Sequence, residues 1–237
     1  MKFYEIKITL LLKIDVKFID LQEFLSSNIN RAMVDDDYLK TIHTNKMFKP
    51  YCIGSLYPFD LEHKVYKANQ IYVLTLRSID NLFIKKLSTV LKKSHKLDFK
   101  VIAIESLVKN YSYVESAFTL TPTVISVEDE KTNKIKHWTK EDSSLEFVKR
   151  QIKNNLEKKY LQFFNEKIVA PDDFINFISI QNNKPIMYNY KNIKIFSNKF
   201  KINFASDNIS QKLAFLGFGV GILEKNSLGF GFLTKGK

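Results

Sequence analysis

The sequence predicts an α+β protein: two tandem ferredoxin-like (RRM-like) βαββαβ halves, closing with a C-terminal glycine-rich loop. Three observations carry this. Residues 1–112 run strand, helix, strand region, strand, helix, strand, which is the split βαβ order. Residues 113–237 repeat that scheme loosely. Six of the seven glycines lie between Gly217 and Gly236, so the chain concentrates positive-φ and close-approach capacity in one segment. The boundary between the halves, 1–112 and 113–237, falls near residues 109–116.

In the first half, Tyr4, Ile6, Ile8 and Leu10 alternate with Glu5, Lys7 and Thr9, as in a strand with one buried face. Phe18, Leu21, Phe24, Leu25 and Ile29 follow helical spacing. An irregular polar stretch follows over residues 34–60, where Asp37 is placed to cap a short helix through His43. Residues 71–77 alternate as a strand. Phe83, Leu87, Val90 and Leu91 mark a helix with Lys85, Lys86, Lys92 and Lys93 on its other face. Residues 101–107 complete the half as a strand.

In the second half, residues 118–127 read as a strand that Pro122 bends or places at an edge. Residues 128–140 read as a charged hairpin tip or loop. Leu145, Val148, Ile152, Leu156 and Tyr160 form a helical stripe, backed by Lys149, Arg150, Lys153, Lys158 and Lys159. Residues 174–180 and 186–196 look extended, and Phe200, Ile202 and Phe204 alternate as a strand. Ser206 or Asp207 caps a last helix carrying Ile209, Leu213 and Leu216, with Gly217 as its stop. The glycine loop and a strand over 229–234 end the chain.

The formal net charge is +12, which points to a polyanionic partner, nucleic acid before lipid. No segment carries the large exposed apolar face of a lipid-binding helix. One cysteine, Cys52, allows neither an internal disulfide nor a cysteine-based metal site, and reads as a buried small hydrophobe. The start, MKFYEIKITLLLKI, does not read as a signal peptide, and no apolar run is long enough for a bilayer. The expectation is a cytoplasmic protein without cofactor or metal. Asp35, Asp36 and Asp37 read as an acidic helix start rather than an ion site.

Two segments resemble a known family. Gly217-Phe-Gly-Val-Gly, then Ile-Leu-Glu-Lys-Asn-Ser-Leu, then Gly229-Phe-Gly is similar to the C-terminal glycine-rich motif of the repeat-processing endoribonucleases. These form the sixth family of CRISPR-associated (Cas) proteins, within the repeat-associated mysterious protein superfamily. His43, followed by Phe48-Lys49-Pro50-Tyr51 and Gly54-Ser55-Leu56-Tyr57-Pro58, resembles the family's histidine and its Lys-Pro-aromatic strand. The resemblance implies metal-independent cleavage of CRISPR repeat RNA (pre-crRNA) into guide RNAs with 2′,3′-cyclic phosphate and 5′-hydroxyl ends. A non-catalytic RNA-binding subunit of a CRISPR effector complex is the alternative. Implied partners are the repeat RNA, effector-complex subunits and a second copy of the chain.

Metal-free cleavage needs a base for the 2′-hydroxyl, a cation for the phosphorane and an acid for the leaving oxygen. Among His43, His63, His95 and His137, the resemblance selects His43, whose side chain titrates near neutrality. Lys49, at the Lys-Pro position, is the first choice for the cation and Lys46 the second. Tyr38 is available as a further acid or base, although it is later in the chain than the family's first-helix tyrosine, and Ser55 as a polar contact. RNA contacts are expected from the glycine segment (Gly217, Gly219, Gly221, Gly229, Gly231) and its centre, Lys225, Asn226 and Ser227. Further contacts are expected from Lys149, Arg150 and Lys153 on the long helix and from Lys199 and Lys201 on the strand before the loop. Among the few arginines, Arg31 and Arg150 are the candidates for reading bases.

Overall fold

The structure is a computed structural model that describes residues 2–129 and 133–236. The first half runs β1 (Phe3–Leu12), β2 (Val16–Lys17), α1 (Leu21–Met33), α2 (Asp37–Thr44), β3 (Tyr51–Tyr57), β4 (Val65–Tyr66), β5 (Ile71–Ser78), α3 (Asn81–Lys93) and β6 (Phe99–Lys109). The second half opens with β7 (Ser116–Thr119), β8 (Ser126–Glu128), β9 (Ile135–His137) and α4 (Leu145–Phe164). It continues through β10 (Ile175–Ile180), β11 (Ile186–Tyr190), β12 (Ile193–Ser197), β13 (Phe200–Phe204), α5 (Asn208–Val220) and β14 (Leu233–Lys235).

Each half holds a four-stranded antiparallel sheet, ordered β3-β5-β1-β6 in the first and β10-β13-β7-β14 in the second. In both, the first and third principal strands are central, which is the ferredoxin-like order read from the sequence. β1 keeps Ile6, Ile8, Leu10 and Leu12 fully buried against the helices, as its alternation requires. α1 buries Leu21, Leu25, Ile29 and Ala32 at helical spacing. Residues 130–132 of the charged segment expected over 128–140 lie outside the described residues; β8 and β9 beside them pair antiparallel.

Two local expectations are corrected. Asp36, not Asp37, caps α2, its carboxylate accepting from the Leu39 N–H at 3.1 Å, because Asp36 is the residue still in extended conformation. The last helix does not stop at Gly217 but runs to Val220, with Gly221 as its cap. Asp207 is the residue that caps its start. α5 is apolar nearly all round, and such a helix needs cover on several sides. It packs on β1, β3 and β5 of the first sheet and on β13 and β14 of the second. Gly219 explains how it comes so close: a Cβ there would stand 2.8 Å from Ile79 Cγ2 and 3.1 Å from Phe3 Cβ. Cys52 is fully buried beside this contact, its sulfur 3.7 Å from the Gly219 carbonyl.

Arg77 fastens the two sheets. It is 7% exposed, donates from Nε to Glu5 Oε2 at 2.7 Å and from Nη1 to the Leu233 carbonyl at 2.7 Å. The Phe232 ring centre lies 4.3 Å from its guanidinium carbon. Removing Arg77 leaves buried Glu5 only the longer pair with Lys109 at 3.7 Å and strips the Leu233 carbonyl of its donor, so Arg77→Ala should destabilise the fold by about 3 kcal/mol. Urea unfolding checks this; a loss under about 1 kcal/mol would show that the joint between the halves does not depend on Arg77.

Candidate active site and nucleic-acid surface

His43 lies in the last turn of α2, partly exposed. The carbonyls at that helix end need donors, and Lys49 supplies them. Its ammonium donates to Ile42 O at 2.6 Å, to His43 O at 3.0 Å and to Asn45 O. Burial holds the His43 pKa below the ordinary histidine value, and the charges of Lys49 and Lys191 hold it lower still. Lys191 is at the turn of the β11–β12 hairpin and was not among the candidates read from the sequence. The spacing of Tyr190-Lys191-Asn192 inside an alternating stretch could have signalled the hairpin, since Lys191 and Asn192 take φ of 45° and 66°. It could not have signalled where the hairpin docks.

Lys46 is exposed in the loop after α2. Tyr38 stands five positions before His43, about 140° round the helix, and so points elsewhere. Its hydroxyl donates to Asp80, and burial together with that carboxylate pushes its pKa up to about 12. Ser55 Oγ lies 3.5 Å from the Tyr66 hydroxyl.

The glycine segment is not one open loop. Gly217 and Gly219 sit inside α5, and the amides of the three glycines that follow are used internally. Gly221 N donates to Gly217 O at 2.9 Å, Gly229 N to Asn226 O at 3.1 Å and Gly231 N to Pro122 O at 2.9 Å. Gly229, at φ +97°, passes so near α1 that a Cβ would meet Gln22 Oε1 at 2.0 Å. Asn226 is 8% exposed and works as a strut, donating to Ile222 O at 2.8 Å and Phe230 O at 2.9 Å. Glu224, Lys225, Ser227 and Leu228 are the side chains of this turn that are not buried.

A buried lysine holds the turn. Lys159 of α4 is 1% exposed and donates to Gly221 O at 2.8 Å, Leu223 O at 3.1 Å and Asn226 Oδ1 at 2.6 Å. Burial pulls its pKa down to about 7, while three oxygens match the three N–H bonds of an ammonium. The sequence reading set Lys159 on the solvated back of α4; it lies on the apolar side because it follows Leu156 by three positions. Glu224 fixes the other flank of the turn by accepting from Ser126 N at 2.7 Å and Ser126 Oγ at 2.6 Å.

The turn faces the segment after α2 across a cleft of about 290 Å³, lined by Met47, Phe48 and Lys49 on one side and residues 223–227 on the other, with Lys159 in its wall. Gln162 of α4 anchors that segment, accepting from Phe48 N at 3.0 Å and donating to Phe48 O at 2.8 Å. The fold therefore brings Lys49, Lys225, Asn226 and Ser227 to one cleft; His43 does not line it, and its link to the cleft is its backbone carbonyl, which accepts from Lys49.

The other basic candidates stand apart. Lys149, Arg150 and Lys153 line a separate groove on α4 with Glu146 and Asp172. There Lys149 pairs with Glu146 at 2.8 Å and Lys153 with Asp172 at 3.0 Å, while Arg150 lies over the Phe147 ring at 5.6 Å. Lys199 is half-buried, and its pKa is lowered by that burial. Lys201 lies over the Phe118 ring at 5.7 Å. Arg31 is not free to read bases, since it pairs with Asp98 and donates to Lys96 O at 3.1 Å. Asp36 pairs with Lys86 at 2.7 Å and Asp35 with Lys96 at 2.9 Å. Among the described residues no group of His, Cys, Asp and Glu is clustered to hold a metal ion, and no helix is long and apolar enough to cross a membrane. His63 bonds Asp60 at 2.7 Å, His95 is exposed, and His137 is partly buried with Nδ1 accepting from Phe196 N at 3.4 Å.

Comparison with known proteins adds to this geometry. The model of the family described as CRISPR associated protein Cas6, C-terminal, matches residues 108–234. No curated protein matches the chain. A solved structure of a CRISPR associated protein Cas6 is similar over 99% of this chain and 100% of its own, with a TM-score of 0.74 at 23% identity. The product of a Cas6-related gene from Pyrococcus furiosus gives 0.75 at 20% identity over 98% of both chains. Thermus thermophilus Cse3, solved with an RNA representing a pre-cleavage complex, gives 0.56 at 9% identity over 100% of both chains. At these identities the solved structures speak for the fold.

Replacing Lys159 by methionine keeps the volume and leaves three buried oxygens without their donor. Each such loss costs about 1–3 kcal/mol, so Lys159→Met should lower stability by at least about 3 kcal/mol. It should also speed hydrogen exchange at the amides of Gly229 and Gly231. Wild-type exchange at both amides would mean that the turn stands without its lysine.

Proposed function

The chain belongs to the Cas6 family of CRISPR-associated proteins, and from that premise we propose that it is an endoribonuclease that cuts CRISPR repeat RNA once per repeat to release guide RNAs. The observation that carries this is a histidine at a helix end held by Lys49, which lines one cleft with Lys225 and Ser227, and burial and the neighbouring lysines keep that histidine's pKa below its ordinary value. A neutral imidazole can accept the proton of a ribose 2′-hydroxyl. The 2′-oxygen then bonds to phosphorus, the bond to the 5′-oxygen breaks, and a proton returns to that oxygen. The products are a 2′,3′-cyclic phosphate and a 5′-hydroxyl. Each step is an acid–base step on side chains and asks for no metal ion. Lys225 and Ser227 on the turn hold the backbone near the cut, and the α4 groove with Lys201 takes flanking RNA. With a transcript as substrate, the chain works in the cytoplasm.

Wild type and His43→Ala incubated with repeat-containing RNA in excess EDTA test this reading. Wild type should make a single cut ending in a cyclic phosphate. His43→Ala should lose about 10²–10⁴-fold in rate and keep its affinity. Tight binding without cutting by either protein would leave an RNA-binding subunit of an effector complex instead. Because the base form of His43 is the active one and its pKa is depressed, the single-turnover rate should rise with pH and level off below the ordinary histidine value of 6.5. A rate still climbing well above that value would remove His43 as the base. Lys225→Ala should weaken binding and reduce the slope of log K against log salt by about 0.7. An unchanged slope would take Lys225 out of the phosphate contacts.

A further inference from the structure

One aromatic ring in the cleft belongs to none of the hydrophobic cores among the described residues. Phe48 lines the cleft with Lys49, Lys225 and Ser227 and is 37% exposed. It lies outside any helix or strand, between α2 and β3. Its backbone is nevertheless held on both sides, because Gln162 Oε1 accepts from its N–H at 3.0 Å and Gln162 Nε2 donates to its carbonyl at 2.8 Å. The ring leans on the second half, with the buried Lys159 ammonium 5.7 Å from its centre. A half-exposed phenyl ring adds little to a core, but one fixed at a basic cleft presents a π-face to whatever enters.

We infer that Phe48 is a stacking platform for one base of the RNA, seated in this cleft while the adjoining phosphate meets Lys225. This rests on the reading above in that repeat RNA occupies the cleft. A nucleotide joins an anionic phosphate to a flat, apolar base, and the two walls divide in the same way. One carries Lys225 and Ser227; the other carries Phe48 and Met47, which is 56% exposed. The carboxylate in the wall, Glu224, is engaged, with one oxygen accepting from Ser126 N at 2.7 Å and the other from Ser126 Oγ at 2.6 Å. Lys159 keeps its protons on Gly221, Leu223 and Asn226, so its charge acts on the ring and not on a phosphate. At about 290 Å³ the cleft is at the small end of ligand pockets, room for a single nucleotide and not for a duplex. A base on Phe48 must leave its neighbours' stack, so the RNA is single-stranded at this point. Every base has a π-face, so the ring fixes the position of the strand and not its sequence. The Gln162 bonds set the ring before RNA arrives, which lowers the ordering cost of binding.

The test is photocrosslinking and binding with the full chain and a repeat RNA carrying a 2′-deoxy nucleotide at the cut. A 5-iodouridine placed at one position at a time and excited by near-ultraviolet light bonds to an aromatic ring stacked on it. One position should crosslink to Phe48, read by mass spectrometry of the peptides. Phe48→Ala and Phe48→Leu should each bind about 10-fold more weakly, and Phe48→Tyr should keep the wild-type affinity. The salt slope should not change, because no charge is removed. An abasic nucleotide at the crosslinked position should weaken wild type by a similar factor and Phe48→Ala no further. Wild-type affinity in Phe48→Ala, or an equal loss by both proteins on the abasic RNA, beside a wild type that binds tightly, would overturn the platform alone. A wild type that binds no repeat RNA would overturn the endoribonuclease reading and the platform with it.

Discussion

A single buried lysine organises the cleft between the segment after α2 and the turn after α5. Lys159 reaches from α4 into the junction of the halves and gives its three N–H bonds to Gly221, Leu223 and Asn226. An ammonium in so dry a place is unfavourable unless every proton finds an oxygen. The segment after α5 must therefore fold round it, and Asn226 extends the hold to Ile222 and Phe230. Glu224, Lys225 and Ser227 are left partly exposed on a cleft whose other side is Met47, Phe48 and Lys49. The same helix anchors the opposite wall through Gln162. α4 thus fixes both sides of the cleft, and the cleft inherits the rigidity of a helix rather than the freedom of a loop.

The glycines serve this compactness more than they serve exposure. Within α5, Gly219 lets the helix lie on Ile79 and Phe3, and beyond it Gly229 lets the chain pass Gln22. Both are contacts between the halves. Close joining at α5 and the Arg77 bridge to Glu5 and Leu233 turn two small sheets into one frame.

The order of elements was legible because strands such as β1 and β13 alternate along one buried face, through Ile6, Ile8 and Leu10 in the first and Phe200, Ile202 and Phe204 in the second. Two helix starts were legible to within a residue, Asp207 as one of two candidates and Asp36 by one position. The site was legible in part. The His43 and Lys49 segment and the glycine segment could be picked out, but the work of single side chains could not. Lys159 and Asn226 are polar residue types that solvent usually takes, and only their distant partners show that they are interior. Arg31 looked available until Asp98 was seen beside it. Lys191 is tied to a residue 168 positions away, a distance over which local patterning says nothing.

The most direct test is a structure of the full chain with a repeat RNA whose 2′-hydroxyl at the cut is replaced by hydrogen. The account predicts the scissile phosphate within hydrogen-bond reach of the His43 ring, with the flanking backbone against Lys225 and Ser227. A scissile phosphate bound elsewhere, with His43 facing solvent, would contradict it.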